Sequence, residues 1–379
     1  MIKAIKIRLK PTKEQEVLMF KSAGIARFAY NWGLAKQEEN YRKGIKSSIK
    51  DSRKEFNQLK KTDEYKWLNE VSAQVSQQAF EDLKAAYKKF FDKNGGKPKF
   101  KSKKRDQPKF YARYDAIKFT KNNGLFYVQI EKIGKIQYKS NYDIPQLAKY
   151  INPRVSFDGK YWYLSLGFEH GTNKSKLDNV SVGIDLGIKD LATVSHIDKP
   201  IKNINKTAKV RKIKKKLKRL QRKVSRKYEK NKDGNKYNKT KNISKLEREI
   251  KLVHRRLINI RLNHIHQATN LIVKTKPSRV VMEYLNIQGM MKNKHVSKAI
   301  QEQKLYEFKR QMKYKCEFNG IDFVEADKWY PSSKMCSCCG IVKKDLKLSD
   351  RTYVCDKCGL IEDRDKNASI NLANYQVAN

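Results

Sequence analysis

The chain has 379 residues, of which 86 are Lys or Arg and 39 are Asp or Glu, for a formal charge of +47. Its length allows two or three domains. Its charge repels itself in a compact monomer unless polyanions neutralise it, which puts nucleic acid first among partners, although basic ribosomal and membrane-surface proteins share the trait.

No apolar run approaches the ~20 residues that cross a bilayer, and the N-terminus has no signal-peptide apolar region. Five of the six cysteines fall between Cys336 and Cys358. That clustering argues for metal binding in a reducing, cytosolic compartment and against a disulfide framework.

Ile5, Ile7 and Leu9 alternate with Lys6, Arg8 and Lys10, the period-two signature of a half-buried strand. Pro11 stops it, and Thr12 with Gln15 makes a capping box that opens a helix. The pattern stays helical to about residue 93, with polar breaks near Lys43-Gly44 and Lys61-Thr62-Asp63. Phe80, Leu83, Tyr87 and Phe91 step along one apolar face before Asn94-Gly95-Gly96-Lys97-Pro98 ends it. Residues 109–170 alternate in short stretches, such as Trp162, Leu164, Leu166 and Phe168, between turns such as Asp158-Gly159. They predict a small β-barrel or sheet that the first strand completes, with a helical lobe inserted over residues 11–108.

After a polar linker at 171–179, Val180, Val182 and Ile184 begin a strand that runs into Asp185-Leu186-Gly187. Val210, Ile213, Leu217, Leu220 and Val224, and then Ile243, Leu246, Ile250, Val253, Leu257 and Ile260, predict an antiparallel helical hairpin with one apolar seam. Its connection, residues 229–242, is rich in Asn, Lys and Gly and is expected to be mobile. Residues 206–227 carry thirteen Lys or Arg and no acid, which favours phosphate contact over a merely solvated face. A strand at Arg279–Glu283, a helix over 297–318, a short strand near Ile321-Phe323-Glu325 and a last helix starting near Asp365 follow. Alternating strands and helices predict an α/β sheet.

Cys336-Ser337-Cys338-Cys339 and Cys355-Asp356-Lys357-Cys358 are two C-x₂-C pairs separated by fifteen residues. Cys336, Cys339, Cys355 and Cys358 so spaced suit a closed, structural zinc site. Gly340 and Gly359 follow the pairs where a tight turn needs permissive backbone. Cys338 is spare, so a pairing through it stays open, and Cys316 falls with Phe308 and Met312 on an apolar helix side as a core residue.

Asp185 and Glu283 end apolar strands, and Asp365 opens the last helix. A charge at such a place is costly unless it meets a cation or a donor. Singly, each has an ordinary explanation: solvated strand ends for the first two, an N-cap for Asp365. Together they suit two Mg²⁺ ions in a phosphodiester-cleaving site, which need hard oxygen ligands from rigid elements such as an RNase H-like sheet supplies. Asp363 competes with Asp365. A strand followed by Asp-x-Gly also occurs in sugar-kinase and actin-like ATPases, but no second phosphate loop, adenosine pocket or Gly-x₄-Gly-Lys-[Ser/Thr] motif accompanies it. The six histidines form no hydrolase motif, and His264 and His266 read as structural or phosphate-contacting.

A family pattern emerges from Ile7-Arg8-Leu9-Lys10-Pro11-Thr12 with Gln15, Ala26-Arg27-Phe28-Ala29-Tyr30-Asn31 and Gly183-Ile184-Asp185-Leu186-Gly187-Ile188-Lys189. It continues through Met282-Glu283-Tyr284-Leu285-Asn286, Pro331-Ser332-Ser333-Lys334, both cysteine pairs and Asp363-Arg364-Asp365-Lys366-Asn367-Ala368. With these motifs, over essentially its whole length, the chain resembles the TnpB family, transposon-encoded relatives of type V CRISPR effectors.

The resemblance implies an RNA-guided DNA endonuclease acting in a prokaryotic cytosol or nucleoid as a monomer with its noncoding guide RNA on double-stranded target DNA. It implies a wedge β-barrel at residues 1–10 and 109–178 and a helical recognition lobe at 11–108. An α/β, RNase H-like (RuvC) nuclease domain at 179–330 and 359–379 would carry an inserted Cys₄ zinc ribbon at 331–358. It also favours Asp365 over Asp363, because the family places its ligand just before x-Asn-Ala, and it offers Gln74, Gln77, Gln78, Thr120 and Asn123 as readers of a short target-adjacent motif. Gln and Asn suit adenine edges and a Thr methyl suits thymine, although ordinary surface polarity accounts for each as well. A small type V CRISPR effector, a guided DNA-binding regulator without cleavage, and a transposase proper are the competing readings.

Overall fold

Alternation along the first nine-residue strand, β1 (Ile2–Lys10), sends Ile5, Ile7 and Leu9 into a core and leaves Lys6 exposed. The computed structural model describes residues 1–140, 144–145, 148–171, 176–347 and 349–376, and the chain divides into two units, Met1–His170 and Gly171–Asn379.

In the first unit β1 is followed by α1 (Lys13–Arg42), α2 (Ile49–Leu59), a 3₁₀ segment (Asp63–Glu70) and α3 (Ala73–Phe91). Thr12 and Gln15 form the expected reciprocal cap of α1. Strands β2 (Lys109–Tyr111), β3 (Lys118–Asn122), β4 (Leu125–Ile130), β5 (Gly134–Lys139), β6 (Ile151–Phe157) and β7 (Trp162–Glu169) complete the unit. They pair in the order β2-β6-β7-β1-β5-β4-β3, with every pairing antiparallel. β1 therefore completes the sheet from its centre, pairing with β7 from Ile2↔Glu169 to Leu9↔Trp162 and with β5 through Arg8–Lys10. β2 and β3 are the ends of this order, so the hydrogen-bonded ladder among the described residues is an open sheet. At Gly33 any Cβ would meet Phe80 Cε1 at 2.7 Å, and α1 and α3 approach closely there. The apolar face of α3 buries Phe80 and Leu83 and half-buries Tyr87, but Phe91 is 71% exposed, so the helix leaves the core before its end.

The second unit opens with β8 (Asp178–Leu186), β9 (Asp190–Val194) and β10 (Ile201–Lys202). Helices α4 (Ala208–Lys230) and α5 (Lys241–Lys274) follow, separated by β11 (Lys232–Asp233) and β12 (Lys236–Tyr237). Then come β13 (Pro277–Met282), α6 (Ile287–Lys292), α7 (Ser297–Gln303), α8 (Leu305–Asn319) and β14 (Asp322–Glu325). The last elements are β15 (Thr352–Val354), β16 (Ile361–Asp363) and α9 (Arg364–Ala373). A sheet runs β10-β9-β8-β13-β14, antiparallel on the β10 side and parallel from β8 through β13 to β14.

Parallel neighbours need crossover connections. The α4–α5 hairpin supplies the first, with Val210 and Ile213 packed on Val253 and Leu257, and α6 to α8 supply the second. The carboxyl ends of β8, β13 and β14 thus share one end of the sheet, where open α/β sheets place their ligands.

The structure adds three local features. The helix expected over 297–318 is split at Lys304, whose φ of 56° is left-handed and ends α7. The hairpin connection holds the short β11–β12 ladder around Gly234. Val180 is 48% exposed, so burial in β8 begins at Val182. Among the described residues no helix is long and apolar enough to cross a membrane.

Candidate functional site

Asp185 stands next to last in β8, and Glu283 follows the last residue of β13. Met282 pairs with Ile184, so the two acids leave adjacent parallel strands side by side. Their carboxyl groups come close enough to share a proton, and the Leu186 N–H donates to Glu283 Oε1 at 3.4 Å. Asp365, in the first turn of α9, is close enough for its charge to act on both.

Burial first, then the charges of Glu283 and Asp365, hold Asp185 well above the usual carboxylate range, with Arg364 pulling the other way. Burial pushes Glu283 up to about 7 against the Leu186 N–H and the Asp185 contact, and Asp365 adds to the rise. Carboxylates so placed must share a proton or gain a cation.

Close packing sets this arrangement. A Cβ on Gly183 would lie 2.0 Å from the Ser369 carbonyl and 2.4 Å from the Ala373 nitrogen, so α9 rests directly on β8. Asp363 is the N-cap of that helix, accepting from the Asp365 and Lys366 N–H groups at 2.9 and 3.1 Å. The capping role open to Asp365 in the sequence therefore belongs to Asp363, and the Asp365 side chain is left for other partners.

Two of these partners were not evident from sequence: Arg364 donates to Asp365 Oδ1 at 3.0 Å, and Arg351 lies 3.9 Å from Oδ2. Arg351 comes from between the cysteine pairs, so only folding reveals it. Lys366 Nζ donates to the carbonyls of Ser195 and Ile197 beyond β9, at 2.9 and 3.1 Å. Asn367, fully buried, accepts from the Ser337 N–H at 2.9 Å and donates to the Met335 carbonyl at 2.7 Å. Asn371 donates to the Ser332 and Met335 carbonyls. The helix is thus pinned on one side to the end of β9 and on the other to the cysteine module.

In that module the sulfurs of Cys336, Cys339, Cys355 and Cys358 lie within 4.8 Å of one another. Each pair makes the same turn: Gly340 N–H donates to the Cys336 carbonyl and Gly359 N–H to that of Cys355, both at 3.0 Å. The two glycines have φ of 75° and 72°, which answers the need for permissive backbone. The N–H groups of Cys358 and Lys357 bring the Cys355 thiol down to about 6. The Leu360 N–H pulls Cys358 downward, but desolvation and the facing cysteines push it up to about 12. Such a crowded set of sulfurs could hold zinc. Cys338 is exposed outside the group, and Cys316 is buried in the core, its thiol pushed up to about 12 by burial. Among the described residues no other set of three Asp, Glu, His or Cys draws its ligand atoms so close, so the carboxylates are more widely spread than the sulfurs.

The expected motif readers occupy separate elements. Gln77 is exposed on α3, and Gln74 and Gln78 are half-buried there, with Gln78 donating to Asp82 at 3.3 Å. Thr120 is exposed on β3, and Asn123 has a φ of 47° in the β3–β4 turn beside Gly124, a hairpin position that favours Asn for its backbone alone. His264 Nε2 lies 2.9 Å from the Lys202 carbonyl, a structural contact. Burial, with Lys315 nearby, lowers the His266 pKa.

Family models match three stretches of the chain: "Helix-turn-helix domain" at residues 1–46, "Probable transposase" at 165–294 and "Cas12f1-like, TNB domain" at 306–372. A Streptomyces pristinaespiralis protein, described as an inferred RNA-guided DNA endonuclease, is 31% identical over 373 residues, covering 98% of this chain and 88% of its own. An Escherichia coli protein of like description is 30% identical over 390 residues, covering 98% and 91%. Among solved structures, a Cas12f1–sgRNA–target DNA complex shares the fold with a TM-score of 0.61 at 13% identity, covering 99% of both chains. Likeness of this extent, from the first strand to the last helix, makes the chain a member of the TnpB family.

Proposed function

We propose that this protein is an RNA-guided DNA endonuclease of a transposon, with Asp185, Glu283 and Asp365 as its cleavage centre. The meeting of these three acids, from two parallel strand ends and one helix start, is the observation that carries the reading. Family membership supports guidance by a noncoding RNA, and a charge of +47 suits a large nucleic-acid footprint.

In this reading the α/β sheet is an RNase H-like (RuvC) domain over residues 179–330 and 359–379, and the ribbon at 331–358 holds structural zinc. Residues 1–10 and 109–178 form the wedge, and residues 11–108 form the recognition lobe. Gln74, Gln77, Gln78, Thr120 and Asn123 contribute to reading a motif beside the target, and the protein acts as a monomer with its RNA.

Hard carboxylate oxygens suit magnesium, and the upward pKa shifts of Asp185 and Glu283 mark converging negative charge that divalent cations relieve. Magnesium, when bound by the three acids, supplies positive charge for phosphodiester hydrolysis. The chain's own groups do the positioning. The Leu186 N–H fixes Glu283, the rigid β8 backbone fixes Asp185, and Lys366 with Asn367 fixes the helix that carries Asp365. Arg351 and Arg364, already against Asp365, supply donors for phosphate oxygens as negative charge grows on them.

Sequencing the RNA that co-purifies with the protein, then offering plasmids that match or lack its guide segment, tests the guided reading. Retained RNA and cutting confined to the matching plasmid are expected. The "Probable transposase" description over residues 165–294 favours a second reading, strand joining at transposon ends. RNA-free joining would select it.

A further inference from the structure

Three aromatic side chains stand exposed at the same end of the sheet as the acids. Tyr284, directly after Glu283, is 46% exposed; Tyr306, at the start of α8, is 66% exposed; Trp329, beyond β14, is 79% exposed. Their common location follows from the contacts beneath them. Gln303 donates to the carbonyls of Gly187 and Asp190, which puts the start of α8 near the end of β8. Lys309 pairs with Glu325, and the Ala326 N–H donates to the Met282 carbonyl at 2.8 Å, which carries the chain after β14 past the end of β13.

Scattered apolar side chains on a surface need no explanation. Trp329 does, because its backbone is fixed. Its N–H donates to Asp327 Oδ1 at 2.7 Å, and the Asp327 N–H donates to the Tyr375 hydroxyl at 3.2 Å. Ala326 is buried, and Tyr330 packs edge-on against Tyr375 at 4.8 Å while its hydroxyl donates to the Asn371 carbonyl. A loop anchored on both sides of Trp329 nevertheless holds the indole out in solvent.

Cations accompany the rings. Lys328 Nζ lies 4.4 Å from the Trp329 ring centre, and Lys309 Nζ lies 5.7 Å from that of Tyr284. Arg310, one turn beyond Tyr306 on α8, is held by Glu307 and lies over the Tyr314 ring at 5.4 Å. Rings interleaved with cations are the chemistry of single-stranded nucleic acid, in which phosphates meet the charges and base faces meet the rings. A duplex keeps its base faces covered by their neighbours, so such a platform serves unpaired bases.

We infer that Trp329, with Tyr284 and Tyr306, forms a base-stacking platform that holds unpaired nucleotides of the strand at the carboxylates. The inference rests on the nuclease reading for its substrate. Positioning by stacking is insensitive to base identity, because every base presents a π face.

The test titrates the full-length protein with an oligodeoxythymidine of about 15 nucleotides in chelator, following tryptophan emission, at about 0.5 M salt to suppress phosphate contacts. Emission from wild type is expected to fall. Trp329→Phe should lose most of that change yet bind within about threefold of wild type, whereas Trp329→Ala should bind about tenfold more weakly. Unchanged emission, or Trp329→Ala binding as wild type does, overturns the platform. The same proteins are then assayed for cutting of matched DNA. If wild type cuts, Asp185→Ala does not, and Trp329→Ala matches wild type in both binding and cutting, the platform alone fails. If wild type cuts nothing while the emission change persists, the nuclease reading alone fails.

Discussion

Asp185 and Glu283 face each other from adjacent strand ends with Asp365 close by, and each is driven toward its protonated form by burial and by its neighbours' charge. Their folded pKa values lie above the unfolded ones, so the native state binds more protons in the window from about 4.5 to about 7 that Glu283 marks. The contribution of these acids to metal-free stability is therefore present below about pH 4.5 and lost as pH rises through about 7. Two outcomes follow for denaturant unfolding in chelator. Asp185→Asn should stabilise the protein by about 0.5–2 kcal/mol at pH 7.5, and the gain should shrink toward pH 4.5. Magnesium should stabilise wild type more at pH 7.5 than at pH 5. A destabilising Asp185→Asn substitution would remove the electrostatic account of the site.

Sequence showed these residues as charges where apolar strands end, which is a physical anomaly in itself. Spacing alone left the division of labour between Asp363 and Asp365 open, and the family resemblance favoured Asp365. That division is set by cap geometry: Asp363 accepts the Asp365 and Lys366 N–H groups, which leaves the Asp365 side chain to Arg364 and Arg351.

At the scale of elements, α9 and the cysteine module act as one support. Asn367 satisfies both a donor and an acceptor of the module from a fully buried position. Asn367→Ala should destabilise the protein by about 1–3 kcal/mol per orphaned group, measured by urea unfolding, and should depress cleavage by loosening Asp365. One zinc per chain is expected by elemental analysis, with loss of the metal in Cys355→Ser. The latter variant should also cut poorly although it leaves the acids intact.

Element reading succeeded where period and boundary signals agree, as in β1 with Pro11 and the Thr12–Gln15 cap. It failed at Lys304, where a non-glycine residue adopts φ 56°. Nothing in Gln303-Lys304-Leu305 signals a break, because tertiary contacts of Gln303 with Gly187 and Asp190 hold it there. Phe91 misled in the opposite direction: its spacing continued an apolar face beyond the core that the face serves.

At the scale of the whole molecule, charge was legible at once and topology only in outline. Strand and helix order pointed to an α/β sheet and to a first strand that completes the sheet of residues 109–170, but the place of β1 at the centre of that sheet is not encoded in local pattern. Lys212, Lys215 and Arg219 are exposed on α4 within the basic run. Replacing all three with Gln should lower the slope of log affinity against log salt by up to about 0.9 per lost duplex contact, with little change in stability.

The account turns on three acids performing guided cleavage, and one comparison tests that directly. The wild-type protein–RNA complex and its Asp185→Ala counterpart are each incubated in magnesium with a plasmid that matches the guide. The account predicts that wild type cuts the plasmid, that Asp185→Ala retains the same RNA and binds the same DNA without cutting it, and that removing the RNA abolishes cutting. Cleavage by Asp185→Ala at the wild-type rate, or by RNA-free wild type, would contradict it.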